Sequence, residues 1–154
     1  IFPDAPIVMV LRHPCNAVLS CFMQKFGLND AMANFSTIEN AEVLYDKVMS
    51  LFEKYLESLP LQIHCIKYEN VLNDMEGEIR RLTEYLDPQW NAGMLDYRKT
   101  AEDNKYINTP SYAAVSERIY HHASGRWKRY ADQMSSVKTL LNPWVRYFGY
   151  EDLI

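Results

Sequence analysis

The stretch IVMVLRHPCNAVLSCF, Ile7 to Phe22, decides how the rest of the chain is read. Together with Pro6 it opens on a continuous apolar run, Pro6 to Leu11, the pattern of a strand buried on both faces. The run ends abruptly in Arg12. Pro14 follows where a helix can start, because the N–H that proline lacks has no helical partner in a first turn. Ala17, Val18, Cys21, Phe22 and Met23 form the inner face of this helix, and Gly27 ends it. In open α/β sheets, ligands bind beyond the carboxyl ends of the strands, which is where Arg12 stands. The helix behind it turns its N-terminal N–H groups toward the same region, which suits an anion. Arginine offers planar, bidentate donors matched to phosphate, and Ser20 adds a hydroxyl if the helix crosses beneath the ligand. A plainer reading pairs Arg12 with a carboxylate and lets Ser20 merely pack; spacing alone leaves both open.

Downstream, Ser36-Thr37-Ile38-Glu39 has the form of a capping box. A long helix follows to about Ser58, with Leu44, Val48, Leu51, Phe52, Tyr55 and Leu59 recurring at helical spacing. Pro60 closes it. Leu61 to Lys67 alternates Leu61, Ile63 and Cys65 and reads as a second strand, with Cys65 in the core. Tyr68-Glu69-Asn70 stands directly at its end. Asn73 or Asp74 caps a further helix that turns Met75, Ile79, Leu82 and Leu86 inward. Residues 87 to 112 have no period and form a long irregular connection, a kind of segment that is often functional. Residues 113 to 132 read as helical, and Asn142-Pro143 divides the last helical region in two. Strands separated by helices imply crossover connections and a parallel sheet. Two strands are few for such a sheet.

The composition sets bounds on function. At 154 residues the chain is one domain's worth, with 48% hydrophobic and 23% charged residues. The 11 tyrosines within a 13% aromatic content allow a substantial core. A net charge of −4, from 16 basic and 20 acidic residues, disfavours a nucleic-acid partner while leaving room for a small anion held by local cations. Cys15, Cys21 and Cys65 are odd in number with no CxxC pair, so they read as reduced thiols and suit a cytoplasmic setting. The histidines show no metal-ligand spacing. No run approaches the ~18 apolar residues of a membrane span, and no signal-peptide pattern opens the sequence. The start, Ile-Phe-Pro-Asp, with a strand close behind it, has the look of a chain cut from something longer.

A late stretch, INTPSYAAVSERIYHHASGRWKRY (107–130), gathers hydroxyls at Thr109, Ser111 and Ser116 and basic or potentially basic groups at His121, His122, Arg126, Lys128 and Arg129. Gly125 allows close backbone approach there. By itself the stretch also fits a solvated basic helix face with Trp127 in the core. Taken in order, RHPxxxxxS after the first strand, KYEN after the second, then TPSY and SGRWKRY, the chain resembles the sulfotransferases that use 3′-phosphoadenosine-5′-phosphosulfate. Within them it is most similar to the bacterial type joined to helical repeats, akin to tyrosylprotein sulfotransferases.

The resemblance implies a P-loop NTPase-like α/β fold, truncated at its N-terminus, with parallel strands and a mostly helical C-terminal half. Residues 1–154 would then be a partial sulfotransferase domain. It implies that Arg12 and Ser20 hold the 3′-phosphate of the nucleotide and that Tyr68 lies against the adenine. Thr109 and Ser111 begin the late segment that wraps the nucleotide, and Arg126 is a basic position at its end. His121 and His122 stand where relatives often carry arginine or lysine, which makes affinity there dependent on pH. No metal is implied. No GxxxxGK or similar Gly/Ser/Thr-rich loop precedes Ile7 to grip the 5′-phosphosulfate. No residue is carried over as the catalytic base, since that group usually lies before the Arg12 strand. The expected activity is transfer of a sulfuryl group to a hydroxyl or amine acceptor whose identity stays open, with the segment by itself inactive. Two rivals stand beside this reading: a non-catalytic sulfotransferase-like binding module, which an exposed sheet edge and a homodimer would favour, and a nucleotide-kinase remnant, which would show no preference for a 3′-phosphate.

Overall fold

The computed structural model of the chain describes residues 4–27, 29–96 and 124–151. They form a mixed α/β arrangement that divides into two compact units, one of residues 1–4, 12–62 and 122–154 and the other of residues 5–11 and 63–121.

The second of these carries the sheet. Strand β1 (Ile7–Leu11) pairs in parallel with β2 (Ile63–Lys67), in a register that sets Ile7 beside Ile63 and Leu11 beside Lys67. Among the described residues β1 pairs with β2 alone. The apolar run is not buried throughout: Leu11 is buried, but Val10 is 69% exposed. On β2 the inward face is also the opposite of the one expected. His64 stacks on Tyr85 at a centroid distance of 5.0 Å, and Tyr85 belongs to the helix that packs on this strand. The period of two then puts Ile66 on the covered face with His64 and turns Cys65 outward, so Cys65 is exposed and not in the core. Helix α3 (Tyr68–Asn73) follows β2 without a break, and α4 (Met75–Leu86) follows α3. Asp74 caps α4 by accepting the N–H of Gly77 at 2.9 Å. A short 3-10 helix, Ala92–Leu95, lies within the stretch expected to be irregular.

In the other unit, α1 (Pro14–Met23), α2 (Ile38–Ser58) and α5 (Lys138–Tyr147) surround one core with the 3-10 helices Met32–Phe35, Arg126–Tyr130 and Ser135–Val137. Val18, Leu19, Ala41, Met134, Leu141 and Val145 are almost fully buried in it. Each large side chain so buried is worth about 1.5–3 kcal/mol relative to exposure. Helix α1 stops at Met23, where Gln24 turns extended, so Gly27 is not its cap, and Phe22 and Met23 are exposed. The N-cap of α2 is Thr37, whose hydroxyl accepts the N–H of Asn40, and the Ser36–Glu39 capping box is not used.

The apolar stripe of α2 is buried only at its N-terminal end. Val48, Leu51, Tyr55 and Leu59 are each 47–49% exposed. An apolar pocket of about 140 Å³, lined by Ala17, Cys21, Phe35, Leu44, Tyr45 and Val48, marks where packing beneath α2 gives out. The acidic side of α2 does the docking to the last helix instead. Glu42 accepts the N–H of Leu140 at 3.2 Å, Asp46 accepts the indole N–H of Trp144 at 2.8 Å, and Glu39 accepts the hydroxyl of Ser136 at 3.2 Å. Burial raises the Glu42 carboxyl above its usual range, the Leu140 N–H opposes this, and the neighbouring Asp46 and Glu39 charges add to it. Helix α5 runs through Pro143 rather than being divided there. The ring removes one helical hydrogen bond, but Leu141, Trp144 and Val145 on both sides of it are buried in the core and hold the two halves in line.

Candidate functional site

Arg12 follows the last residue of β1, and α1 starts two residues later. Between them His13 caps the helix: its ring Nδ1 accepts the N–H of Cys15 at 3.3 Å, and its carbonyl accepts the N–H of Ala17 at 3.0 Å. Pro14 occupies the first helical position, as its fixed φ and missing N–H favour. The N-terminal donors of α1 are thus engaged in part by the cap itself.

Ser20 lies about two turns up the helix, roughly 10 Å along its axis. Arg12 reaches it: Nη1 donates to Ser20 Oγ at 3.3 Å, and both residues are half-buried. The guanidinium therefore lies along the side of α1. Because Oγ accepts from arginine, the serine's own proton is left to donate outward. The result is a cation and a hydroxyl donor fixed side by side, which is the donor set a phosphate oxygen cluster takes. Cys21 shares this environment. Burial raises its thiol above the ordinary value, and the Arg12 charge pulls it partly back. Cys15, fully buried in the first turn, is pushed up to about 12 by burial and stays a neutral thiol.

The late basic segment is tied to the same helix. Asn16 Oδ1 accepts the backbone N–H of Trp127 at 3.1 Å, and both residues are nearly fully buried. Trp127 also stacks on His13, with centroids 5.1 Å apart and planes 19° from parallel. Gly125 caps the 3-10 helix Arg126–Tyr130 with φ +65°, so its requirement is the left-handed backbone and not the close approach expected of it. Arg126 opens that helix and is half-buried. The expected helix over 113–132 is 3-10 at Arg126–Tyr130, and the part before residue 124 lies outside the described residues.

Tyr68 is the first residue of α3, directly after β2, and is half-buried in the other compact unit. Thr109, Ser111, His121 and His122 lie outside the described residues. Among the described residues singled out from the sequence, Arg12 and Ser20 are joined by a direct contact. Sequence reasoning passed over His13 and Asn16. Signals for both existed: His13 immediately precedes Pro14, the position of a cap, and Asn16 is a short polar residue on a face otherwise made of Cys15, Val18 and Leu19. Among the described residues, no group of three or more histidine, cysteine or acidic residues could hold a metal. No described helix is long and apolar enough to cross a membrane.

An uncharacterized protein of Aquifex aeolicus (strain VF5) is 23% identical over 141 residues, covering 91% of this chain and 18% of its own length. The chain thus spans less than a fifth of that relative. No solved structure matches. The profile of the sulfotransferase family matches residues 1–92, more than half of the chain, and the matched part contains β1, Arg12, Ser20, β2 and Tyr68. With the family's pattern running through the strand, the arginine and the serine whose contact is described above, the chain belongs to the sulfotransferase family.

Proposed function

We propose that the chain is part of an enzyme that moves a sulfuryl group from 3′-phosphoadenosine-5′-phosphosulfate to a hydroxyl or amine, and that this segment recognises the donor's 3′-phosphate and adenine. The observation that supports this best is the Arg12–Ser20 contact at the end of β1. Its guanidinium and hydroxyl fit a phosphate dianion, and a nucleotide without the 3′-phosphate forgoes the charge-assisted hydrogen bonds they would make to it. That loss is how a site of this kind rejects AMP and ATP. When bound, the donor supplies the activated sulfuryl group. Arg12 and Ser20 hold the phosphate end, Tyr68 offers an aromatic face to the base, and Arg126 adds positive charge. The motif order also suits the subtype akin to tyrosylprotein sulfotransferases.

The test is calorimetric titration with adenosine 3′,5′-bisphosphate beside AMP, on this chain and on Arg12→Ala. Each charge-assisted hydrogen bond is worth about 1.5–3 kcal/mol, a factor of roughly 10–150 in affinity. The expected result is preference for the bisphosphate, lost in the variant. Equal binding of the two nucleotides, or a bisphosphate affinity untouched by Arg12→Ala, would sink the reading.

A further inference from the structure

Asn16 stands on the first turn of α1 among Cys15, Val18 and Leu19, all of them buried, and is itself 2% exposed. An amide at this depth costs stability unless its hydrogen bonds are made. Asn16 makes half of them. Its Oδ1 accepts the backbone N–H of Trp127 at 3.1 Å, while its Nδ2 has no hydrogen-bond partner among the described residues. An apolar side chain of the same branched shape would avoid that unmade bond. What the amide achieves instead is its carbonyl's hold on a segment 111 positions away.

That segment needs an acceptor from outside. The first N–H groups of a helix have no partner within it, and a side chain at the cap position commonly supplies one. The cap of the Arg126–Tyr130 helix is Gly125, which has no side chain to offer. The Lys128 N–H reaches the Gly125 carbonyl at 3.0 Å, but the Trp127 N–H comes one residue too early for that bond. Asn16 supplies the missing acceptor from α1. The Trp127 ring adds a second hold, stacked on His13 just ahead of α1. Covalent geometry then puts the Cα of Arg126 no more than about 5.5 Å from Asn16 Oδ1. Arg12, Asn16, Ser20 and Arg126 all belong to one compact unit.

We propose that Asn16 is a positioning residue: by capping the Arg126–Tyr130 helix from α1, it fixes Arg126 beside the turn that follows Arg12, so that both arginines serve one anion. This rests on the reading of Arg12 and Ser20 as a phosphate site. Asn16 itself touches no ligand and acts through Arg126.

Two measurements on the whole chain test this. The first needs no nucleotide. Hydrogen exchange of the Trp127 amide is expected to speed up about tenfold or more in Asn16→Leu, which keeps the branched shape without an acceptor, and to return toward the wild-type rate in Asn16→Asp, which keeps the oxygen. The second is calorimetric titration with adenosine 3′,5′-bisphosphate and with AMP on the wild type, Asn16→Leu, Arg126→Ala and the double variant. Arg126→Ala is expected to weaken bisphosphate binding by a factor of roughly 10–150, the worth of one charge-assisted hydrogen bond. Asn16→Leu is expected to weaken it as well, and to add nothing once Arg126 is gone. A purely structural defect would weaken both backgrounds alike. Asn16→Ala serves the same comparisons if the leucine variant does not fold. Unchanged exchange at Trp127, or equal effects of Asn16→Leu with and without Arg126, would overturn the proposal. A wild type that binds both nucleotides equally would instead overturn the phosphate reading, and the role built on it.

Discussion

The docking of α5 on α2 can be weakened at one atom. Glu42, 6% exposed, accepts the N–H of Leu140, which lies in the first turn of α5, where helix N–H groups have no partner of their own. Glu42→Ala removes the acceptor and leaves a partly buried donor unmade, which costs about 2 kcal/mol within the usual 1–3. For a chain of this size that is roughly 4–8 °C in Tm. Glu42→Gln keeps an oxygen in place and discards the charge. The wild-type carboxyl is raised above its usual range by burial first and by Asp46 and Glu39 after it. The folded state therefore holds its proton to higher pH than the unfolded state, and stability declines as pH rises from the unfolded value through the raised one. Glutamine has no such slope. The glutamine variant is therefore expected to match or exceed the wild type at pH 7 and to lose that advantage near pH 4, while the alanine variant is weaker at pH 7. Thermal and denaturant unfolding followed by tryptophan emission reads this directly, since Trp127 and Trp144 both lie in this unit. If glutamine destabilises at pH 7 as much as alanine does, attraction between the carboxylate charge and the α5 terminus holds the helix, and the hydrogen-bond argument fails.

Ser20→Ala should weaken adenosine bisphosphate binding by a factor of roughly 10–150, as loss of a hydrogen bond to a charged phosphate does. Titrations of the single and double variants should show Arg12→Ala and Ser20→Ala to be non-additive, because the two side chains touch; strict additivity would mean that they act separately. Thiol labelling at pH 8 should modify exposed Cys65 first, while Cys15, buried and raised to about 12, should react only on unfolding; early labelling of Cys15, seen by peptide mass, would contradict its burial. Gly77→Ala should be nearly neutral, because a Cβ there falls on the capping Asp74 carboxylate and the lost cap, about 1 kcal/mol, offsets the helix-propensity gain. In an Asp74→Ala background the same change should stabilise by about 1 kcal/mol in urea melts.

Much of the architecture could be read from local signals. The apolar run to Leu11, the arginine, and proline at the first helical position located β1, α1 and the Arg12–Ser20 pair. Asp74 was among the two expected caps. What failed depended on neighbours far away in sequence. Periodicity marked Val48, Leu51, Tyr55 and Leu59 as a buried stripe, but it carries no information on where α5 stops covering α2. Glu42 and Asp46 drew no reading from the sequence, because their partners lie about a hundred positions on. The face of β2 was misread because α4 decides it, through the stack of Tyr85 on His64. Asn16 escaped notice for the same reason, since its partner is Trp127.

The division of the chain also bears on its synthesis. Residues 12–62 build part of a unit whose remaining part, residues 122–154, follows the whole 63–121 segment in sequence. Val18, Leu19 and Ala41 emerge from the ribosome long before Met134, Leu141 and Val145, against which they are buried. At about 5–20 residues per second that wait lasts on the order of 5–20 s. For those seconds α1 and α2 present their apolar sides to the cell, so chaperone capture of nascent chains stalled before residue 122 is where this topology should leave its mark.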